Sequence, residues 1–284
     1  MDNIVEIVSS PAEMRNLAGS LRANDGPLGL VPTMGALHEG HIHLIDRAVS
    51  ECPTVVVSIF VNPTQFGPGE DYGTYPRNYE SDIRICRSRG VVAIYSPTAD
   101  AMYGKEFSTL IEVPSLAEGL CGPHRPGHFR GVATVVAKLF AACKPDRAYF
   151  GEKDYQQLIL IRRMALDLNL GIEVVGCPTV REKDGLALSS RNVNLQGDER
   201  KRALSLSRGL RKATELFAAG EKEASILILA VSQELEMAEA KIDYIAVVDP
   251  DTLKPLERVD ISARIAVAAH IGATRLIDNI PLEL

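Results

Sequence analysis

The stretch LGLVPTMGALHEGHIHL, residues 28–44, decides how the chain is read. Its first half is an apolar run that ends at Pro32, a strand candidate, and Met34 and Gly35 follow it. A glycine there lets the backbone turn tightly. Two histidines, His38 and His41, then flank Gly40 in HEGH, and an amphipathic segment begins. Where a strand hands over to a helix, unpaired N–H groups and the positive end of the helix dipole suit a phosphate. Gly40 allows close backbone approach at the first helical turn, and His38 and His41, three apart, share one face. Two imidazoles in that place can donate hydrogen bonds and offset negative charge. One histidine would more simply satisfy local backbone groups, but the H-x-G-H pair after a buried strand favours the phosphate.

Outward from this stretch, apolar runs alternate with helical patterns. IVEIV (4–8), LGLVPT, TVVVSIFV (54–61), VVAIYSP, RAYFG and IEVVGCPTV read as strands. The continuous β-branched run at 54–61 marks a strand buried on both faces. SPAEMRNLAGSLR starts with a Ser-Pro helix signal, and YESDIRICRSRG is a helix closed by glycine. In FRGVATVVAKLFAAC, Val132, Val135, Val136, Leu139, Phe140 and Cys143 follow helical spacing, which predicts an amphipathic helix. Strand and helix alternating in this way predict an α/β fold, a doubly wound, Rossmann-like, mostly parallel sheet. Near Pro178 the pattern changes to two long helical segments (about 197–219 and 222–240) and then three strands. This predicts a first domain over residues 1–178 and a smaller α+β domain over 179–284.

The bulk numbers narrow the partners. The chain has 284 residues, 46% hydrophobic and 24% charged, as in ordinary globular proteins. A net charge of −6 without a basic block argues against nucleic acid or an anionic membrane as partner. The five cysteines (52, 86, 121, 143, 177) form no C-x-x-C pair, so reduced thiols and a cytoplasmic setting are expected. The start MDNIVEIVSSPAEM lacks a basic start and a long apolar stretch, so it is not expected to act as a signal peptide, and no apolar run reaches membrane-spanning length.

Three polar clusters follow strands: MGALHEGH, NPTQF and GEKDYQQ. In a doubly wound sheet they converge on the crevice at the carboxyl ends of the strands. Zinc is not expected, because HEGHIH is not H-E-x-x-H and His41 and His43 diverge on a helix. Neither a Walker-type loop nor a clean G-x-G-x-x-G after a strand is present, which lowers the case for common NTPases and dinucleotide enzymes.

At this point PTMGALHEGH, SIFVNPTQF, RPGHFRGV, FGEKDYQQL and DGLALSSRN, taken in order, resemble the pantoate–β-alanine ligase family of H-x-G-H nucleotidyltransferases. The resemblance implies a two-step ligase. The carboxylate of pantoate attacks the α-phosphate of ATP to give pantoyl adenylate and pyrophosphate, and the amine of β-alanine then displaces AMP to give pantothenate. It implies ATP contacts at Met34, Gly35, Ala36, Leu37, His38, Glu39, Gly40 and His41, at Gly151, Glu152, Lys153 and Asp154, and at Val180, Leu188, Ser189, Ser190 and Arg191. His38, His41, Lys153 and Arg191 are the candidate catalytic residues, with His41 stabilising developing charge and serving as candidate proton donor. Gln65, Gln157 and Asn62 suit the hydroxyls of pantoate, because amides both donate and accept. His128 and Arg125 are implied near the β-alanine carboxylate or the pantoate pocket. Mg²⁺ would come with ATP, Asp154 is a candidate for the metal, for a ribose hydroxyl or for Lys153 itself, and the family implies a homodimer. Ser189, Ser190 and Arg191 would reach phosphates only if the small domain closes over the crevice, with a hinge near residues 176–186.

The plainer alternatives are a solvated lysine at 153, polar surface at the glutamines, a basic loop at 124–130 and a serine-rich turn at 189–190. Two rival functions are an H-x-G-H enzyme transferring AMP to a phosphorylated acceptor and a non-catalytic nucleotide-sensing module. NPTQF and the two glutamines count against the first, since a phosphate acceptor calls for more cations.

Overall fold

A computed structural model describes residues 5–283. Ile4, the first residue of the expected opening strand, lies outside them. The chain divides into two compact units. The first takes the chain up to Val113, Arg125–Glu152 and Leu160–Pro178, and the second takes Pro114–His124, Lys153–Ile159 and the chain from Thr179.

The first unit is built on six parallel strands: β1 (Glu6–Val8), β2 (Leu28–Thr33), β3 (Thr54–Ile59), β4 (Ala93–Tyr95), β5 (Arg147–Gly151) and β6 (Glu173–Cys177). Their order across the sheet is β1-β4-β3-β2-β5-β6. The crossovers are α1 (Pro11–Asp25), α2 (Glu39–Glu51), α3 (Tyr79–Ser88), the one-turn α4 (Ala99–Met102), α6 (His128–Cys143) and α7 (Tyr155–Asp167), while the one-turn α5 (Pro114–Ala117) falls in the second unit.

Local signals act as read. Ser10 caps α1, its Oγ accepting from the Glu13 N–H at 3.2 Å while Glu13 Oε2 accepts from the Ser10 N–H at 3.1 Å. Every residue of β3 is buried, as a central parallel strand requires. The α6 helix buries its predicted stripe, keeps Arg130 and Ala141 exposed on the outer face, and is buried beyond the stripe as well. Phe129, Gly131, Ala133, Thr134 and Ala142 are buried along with the valine stripe. A helix covered on most sides is a core helix, and here its small residues let α1 and the turn at 63–65 pack closely.

The second unit carries α8 (Asp198–Ala218) and α9 (Ala224–Met237) on an antiparallel sheet of β7 (Lys241–Val248), β8 (Ser262–Ile271) and β9 (Thr274–Glu283), ordered β7-β8-β9. Leu206, Leu210, Leu227, Val231, Ile265 and Val267 are central to its core. Residues 153–159 join this unit through specific bonds. Asn279 Nδ2 donates to the Lys153 carbonyl at 2.9 Å, Tyr155 Oη donates to the Pro250 carbonyl at 3.1 Å, and the Arg264 guanidinium stacks 3.8 Å above the Tyr155 ring.

Candidate active site

The sheet order reverses between β2 and β5, and that is where doubly wound sheets bind ligands. These two strands pair only at Gly29/Arg147 and Leu30/Ala148, whereas β2 pairs with β3 along its full length. The carboxyl ends of β2 and β5 therefore stand apart, carrying the turn at Met34–Gly35 and the Gly151–Glu152 segment.

The turn after β2 is sharply bent. Gly35 has φ 83° and Ala36 has φ 51°. A side chain at Gly35 would place its Cβ 3.0 Å from both Asp82 Oδ2 and Ile59 Cγ2, so only glycine fits. Asp82, 1% exposed, accepts the Ala36 N–H at 2.9 Å on Oδ2 and the Leu37 N–H at 2.8 Å on Oδ1. Burial raises its carboxyl above the ordinary aspartate value, against the pull of the two amides. Sequence reading passed over Asp82. Its one signal is position: it lies four residues before Cys86, so a charged residue shares the buried stripe of α3.

His38 then caps α2. Its Nδ1 accepts from the Gly40 N–H at 3.1 Å, and His41 Nδ1 accepts from the His38 N–H at 3.3 Å. This is a capping box made of two imidazoles, with ring centroids 4.1 Å apart. Because each Nδ1 accepts, the ring proton is assigned to Nε2 in both residues. The helix start thus carries two imidazoles side by side, each accepting a backbone N–H on Nδ1. Glu39 adds a carboxylate in the same first turn.

The NPTQF cluster is held from within the first unit. Asn62 is 1% exposed. Its Nδ2 donates to Gln65 Oε1 at 3.0 Å and to the Gly131 carbonyl at 3.2 Å, and its Oδ1 accepts from Tyr103 Oη at 2.7 Å. Asn62 therefore orients Gln65, whose Nε2 points at Met34 Sδ, 3.1 Å away. The Gln65 carbonyl accepts from His128 Nδ1 at 2.8 Å, which leaves His128 Nε2 to accept from Arg125 Nη1 at 2.9 Å. Arg125 makes a bidentate pair with Glu70 at 2.9 and 2.6 Å. Burial would raise Glu70, but the bonds and charge of Arg125 hold it below the usual glutamate range. Arg125 and His128 thus brace the segment that carries Gln65. Glu70 was not legible, because its partner is 55 residues away.

In the second unit, Lys153 sits in a short 3-10 turn over Glu152–Asp154. Its side chain is 19% exposed, with Nζ 3.8 Å from Asp154 Oδ2. That is not a freely solvated lysine. Gln156 and Gln157, neighbours in sequence, differ. Gln156 is buried, donates to the carbonyls of Leu116 and Gly119 at 2.9 and 2.8 Å and accepts from the Cys121 N–H at 3.0 Å. Gln157 is half-buried, and among the described residues its amide has no hydrogen-bond partner. The Gln156 amide is committed to the fold, and the Gln157 amide is not. Gln156→Ala is expected to destabilise the protein by about 2 to 4 kcal/mol, because buried groups lose their partners. Urea unfolding measures this, and an unchanged midpoint would contradict it.

The DGLALSSRN stretch also belongs to the second unit. Arg181 and Ala187 form a bridge, the Leu188 N–H donates to the Val180 carbonyl at 2.9 Å, and Gly185 turns the chain with φ 97°. Arg181 pairs bidentately with buried Asp278 at 2.7 and 2.9 Å, and Arg200 joins Glu182 and Asp184. Residues 181–187 are therefore built into this unit and present Ser189–Arg191 from a braced base. Ser189 caps the short helix Ser190–Asn194, its Oγ accepting from the Arg191 N–H at 3.3 Å.

Among the described residues, no three His, Cys, Asp or Glu side chains gather to hold a metal, and no helix is long and apolar enough to cross a membrane. All five cysteines are free and buried.

A doubly wound sheet with an imidazole-capped helix at its switch point defines the class: an α/β enzyme of the H-x-G-H type that handles a phosphorylated ligand. The family model described as pantoate-beta-alanine ligase matches residues 6–281. A pantothenate synthetase of Moorella thermoacetica is 50% identical over 281 residues, 99% of each chain. A solved pantothenate synthetase structure from Thermus thermophilus is 47% identical, with a TM-score of 0.94 over 99% of this chain and 100% of that one. A Francisella tularensis pantoate-beta-alanine ligase, solved in complex with β-γ ATP and β-alanine, is 37% identical, with a TM-score of 0.81 over 98% of this chain and 97% of that one. The chain belongs to the pantoate-beta-alanine ligase family, and it is an enzyme.

Proposed function

We propose that this enzyme activates pantoate with ATP and then couples it to β-alanine through a pantoyl-adenylate intermediate, releasing pyrophosphate and AMP. One observation carries most weight: two imidazoles, each accepting a backbone N–H on Nδ1, cap the helix that starts at the switch point.

In the first step the pantoate carboxylate oxygen bonds to the α-phosphorus, and the bond to the bridging oxygen of pyrophosphate breaks. Two anions meet, so alignment and charge stabilisation dominate and no protein nucleophile is needed. We assign the Nε2–H groups of His38 and His41 to the phosphate oxygens, with His41 nearest the developing charge. Lys153, Ser189, Ser190 and Arg191 are assigned to phosphates, and the backbone of Met34, Gly35, Glu39, Gly40, Gly151, Glu152, Val180 and Leu188 to the rest of ATP. The amides of Ala36 and Leu37 point to Asp82, so we assign those two residues to shaping the turn. Gln65, oriented by Asn62, and the available amide of Gln157 suit the pantoate hydroxyls. In the second step the β-alanine amine attacks the acyl carbon and AMP leaves with the phosphate oxygen.

A magnesium ion fits here as a nucleotide-borne ion. Asp154, about half-exposed at its side chain and 3.8 Å from Lys153 Nζ, is a candidate contact, and Mg²⁺ commonly keeps waters and phosphates with one or two carboxylates. Bound that way, it would neutralise phosphate charge. The same reading proposes a cytoplasmic homodimer, in line with five unpaired cysteines and the family habit.

The test is isotope exchange. Labelled pyrophosphate is expected to enter ATP with enzyme, Mg²⁺ and pantoate alone, and AMP to appear only when β-alanine is added. Exchange that strictly requires β-alanine would sink the free-standing adenylate.

A further inference from the structure

We propose that Asp82 is a positioning residue for the adenylation step, a buried carboxylate that holds the turn between β2 and α2 so that His38 and His41 meet the reacting phosphate. The inference rests on the reading of the two histidines given above, and it concerns a residue on a different element, α3.

The geometry makes the case. Asp82 lies in the first turn of α3, where the helix dipole favours a carboxylate. Each of its oxygens takes one consecutive amide of the turn, from Ala36 and from Leu37. Ala36 is held at φ 51°, a left-handed conformation that disfavours a residue with a side chain. Something must hold it there, and two charge-assisted bonds inside the protein do so. Gly35 is pressed so close to Asp82 Oδ2 that no side chain fits between them. The N–H of His38, the next residue, goes to His41, so the position of the turn is passed directly to the imidazole pair.

This arrangement also divides labour in the turn. In many strand-to-helix turns, backbone amides face the phosphate. Here two of them face a carboxylate and the Gly40 N–H goes to His38, so the imidazoles carry that task. Asp82 should therefore act on turnover more than on substrate binding, because it sets where donors sit and does not itself touch a substrate.

The carboxylate borders a cavity of about 270 Å³ that is also lined by Met34, Gly35, Arg77 and Ser96. That space makes chemical rescue feasible: a small carboxylate can occupy the place of a deleted side chain.

The experiment measures pantoate-dependent pyrophosphate exchange in the full chain. Asp82→Asn keeps the shape but offers an amide nitrogen where a second acceptor is needed. Its kcat is expected to fall about 10- to 30-fold, with the KM values for ATP and pantoate within about 3-fold, since small displacements of aligned groups slow the chemistry steeply. Asp82→Ala is expected to lose at least as much and to regain several-fold with added formate, which should leave the wild type unchanged. Amide hydrogen exchange of the wild type gives an arm independent of any variant, with slow exchange expected at Ala36 and Leu37. Normal kcat in Asp82→Asn, folded Asp82→Ala that formate does not restore, or fast exchange at both amides would each overturn the proposal. His41→Ala separates the two levels. If that variant exchanges normally, the reading of the histidines has failed; if it is impaired while Asp82→Asn is normal, only the role of Asp82 has failed.

Discussion

Lys153→Ala is expected to slow pantoate-dependent pyrophosphate exchange by about two to three orders of magnitude, a loss of roughly 2 to 4 kcal/mol of transition-state stabilisation by analogy with a lost oxyanion donor. A carboxylate approaching a polyanion has its barrier raised by charge, and an ammonium group fixed at the phosphates offsets that charge where it develops. The position suits this role. Lys153 follows β5, one of the two strands at the switch point, and only 19% of its side chain is exposed. Its backbone carbonyl is held by Asn279 regardless of the side chain, so the variant should fold. Lys153→Met, which keeps the aliphatic stem, is expected to be impaired as much as the alanine variant, because the charge matters and the packing does not. Single-turnover measurement with ATP and pantoate checks both. Near-normal adenylate formation in either variant would return Lys153 to the surface lysines.

The sheet was legible because its signals are local. The β-branched run at 54–61 reads as a buried strand, and Ser10 with Pro11 marks a helix start within two residues. The candidate site residues could be nominated for the same reason: His38, Gly40 and His41 sit within one turn, and Glu152 and Lys153 directly follow β5. What escaped were the groups that hold these residues. Asp82 meets the turn across 45 and 46 residues, Gln156 meets its carbonyl partners across 40 and 37, and Asp278 meets Arg181 across 97. No period announces such pairs. A polar residue placed where the pattern calls for an apolar one is the only trace they leave. Asp82 leaves that trace. Gln156 does not, because it stands at a helix start where an amide is unremarked. Asn62 shows the opposite limit. Its residue type suited a substrate hydroxyl, yet the fold commits its amide to Gln65, Gly131 and Tyr103.

Gly131→Ala is expected to lower kcat/KM for pantoate about 100-fold and to destabilise the protein by about 1 to 3 kcal/mol, through one methyl group. Gly131 lies in α6, where the helix backbone rests on the 3-10 turn Pro63–Gln65. A Cβ at this position would stand 2.3 Å from the Thr64 carbonyl oxygen and 2.7 Å from the Gln65 nitrogen. Both neighbours are backbone, so neither can swing aside as a side chain would. The turn must move, and with it Asn62, which donates to the Gly131 carbonyl and orients Gln65. The Gln65 carbonyl is also tied to His128, and His128 to Arg125. A shift of the turn therefore strains the whole brace on that side, while the helix start at His38 depends on Asp82 and not on α6. ATP binding should survive and pantoate use should fail. Steady-state kinetics with each substrate varied in turn, together with thermal unfolding, tests this. If ATP affinity falls while the pantoate KM holds, Gln65 does not serve pantoate, and the turn at 63–65 belongs to the nucleotide instead.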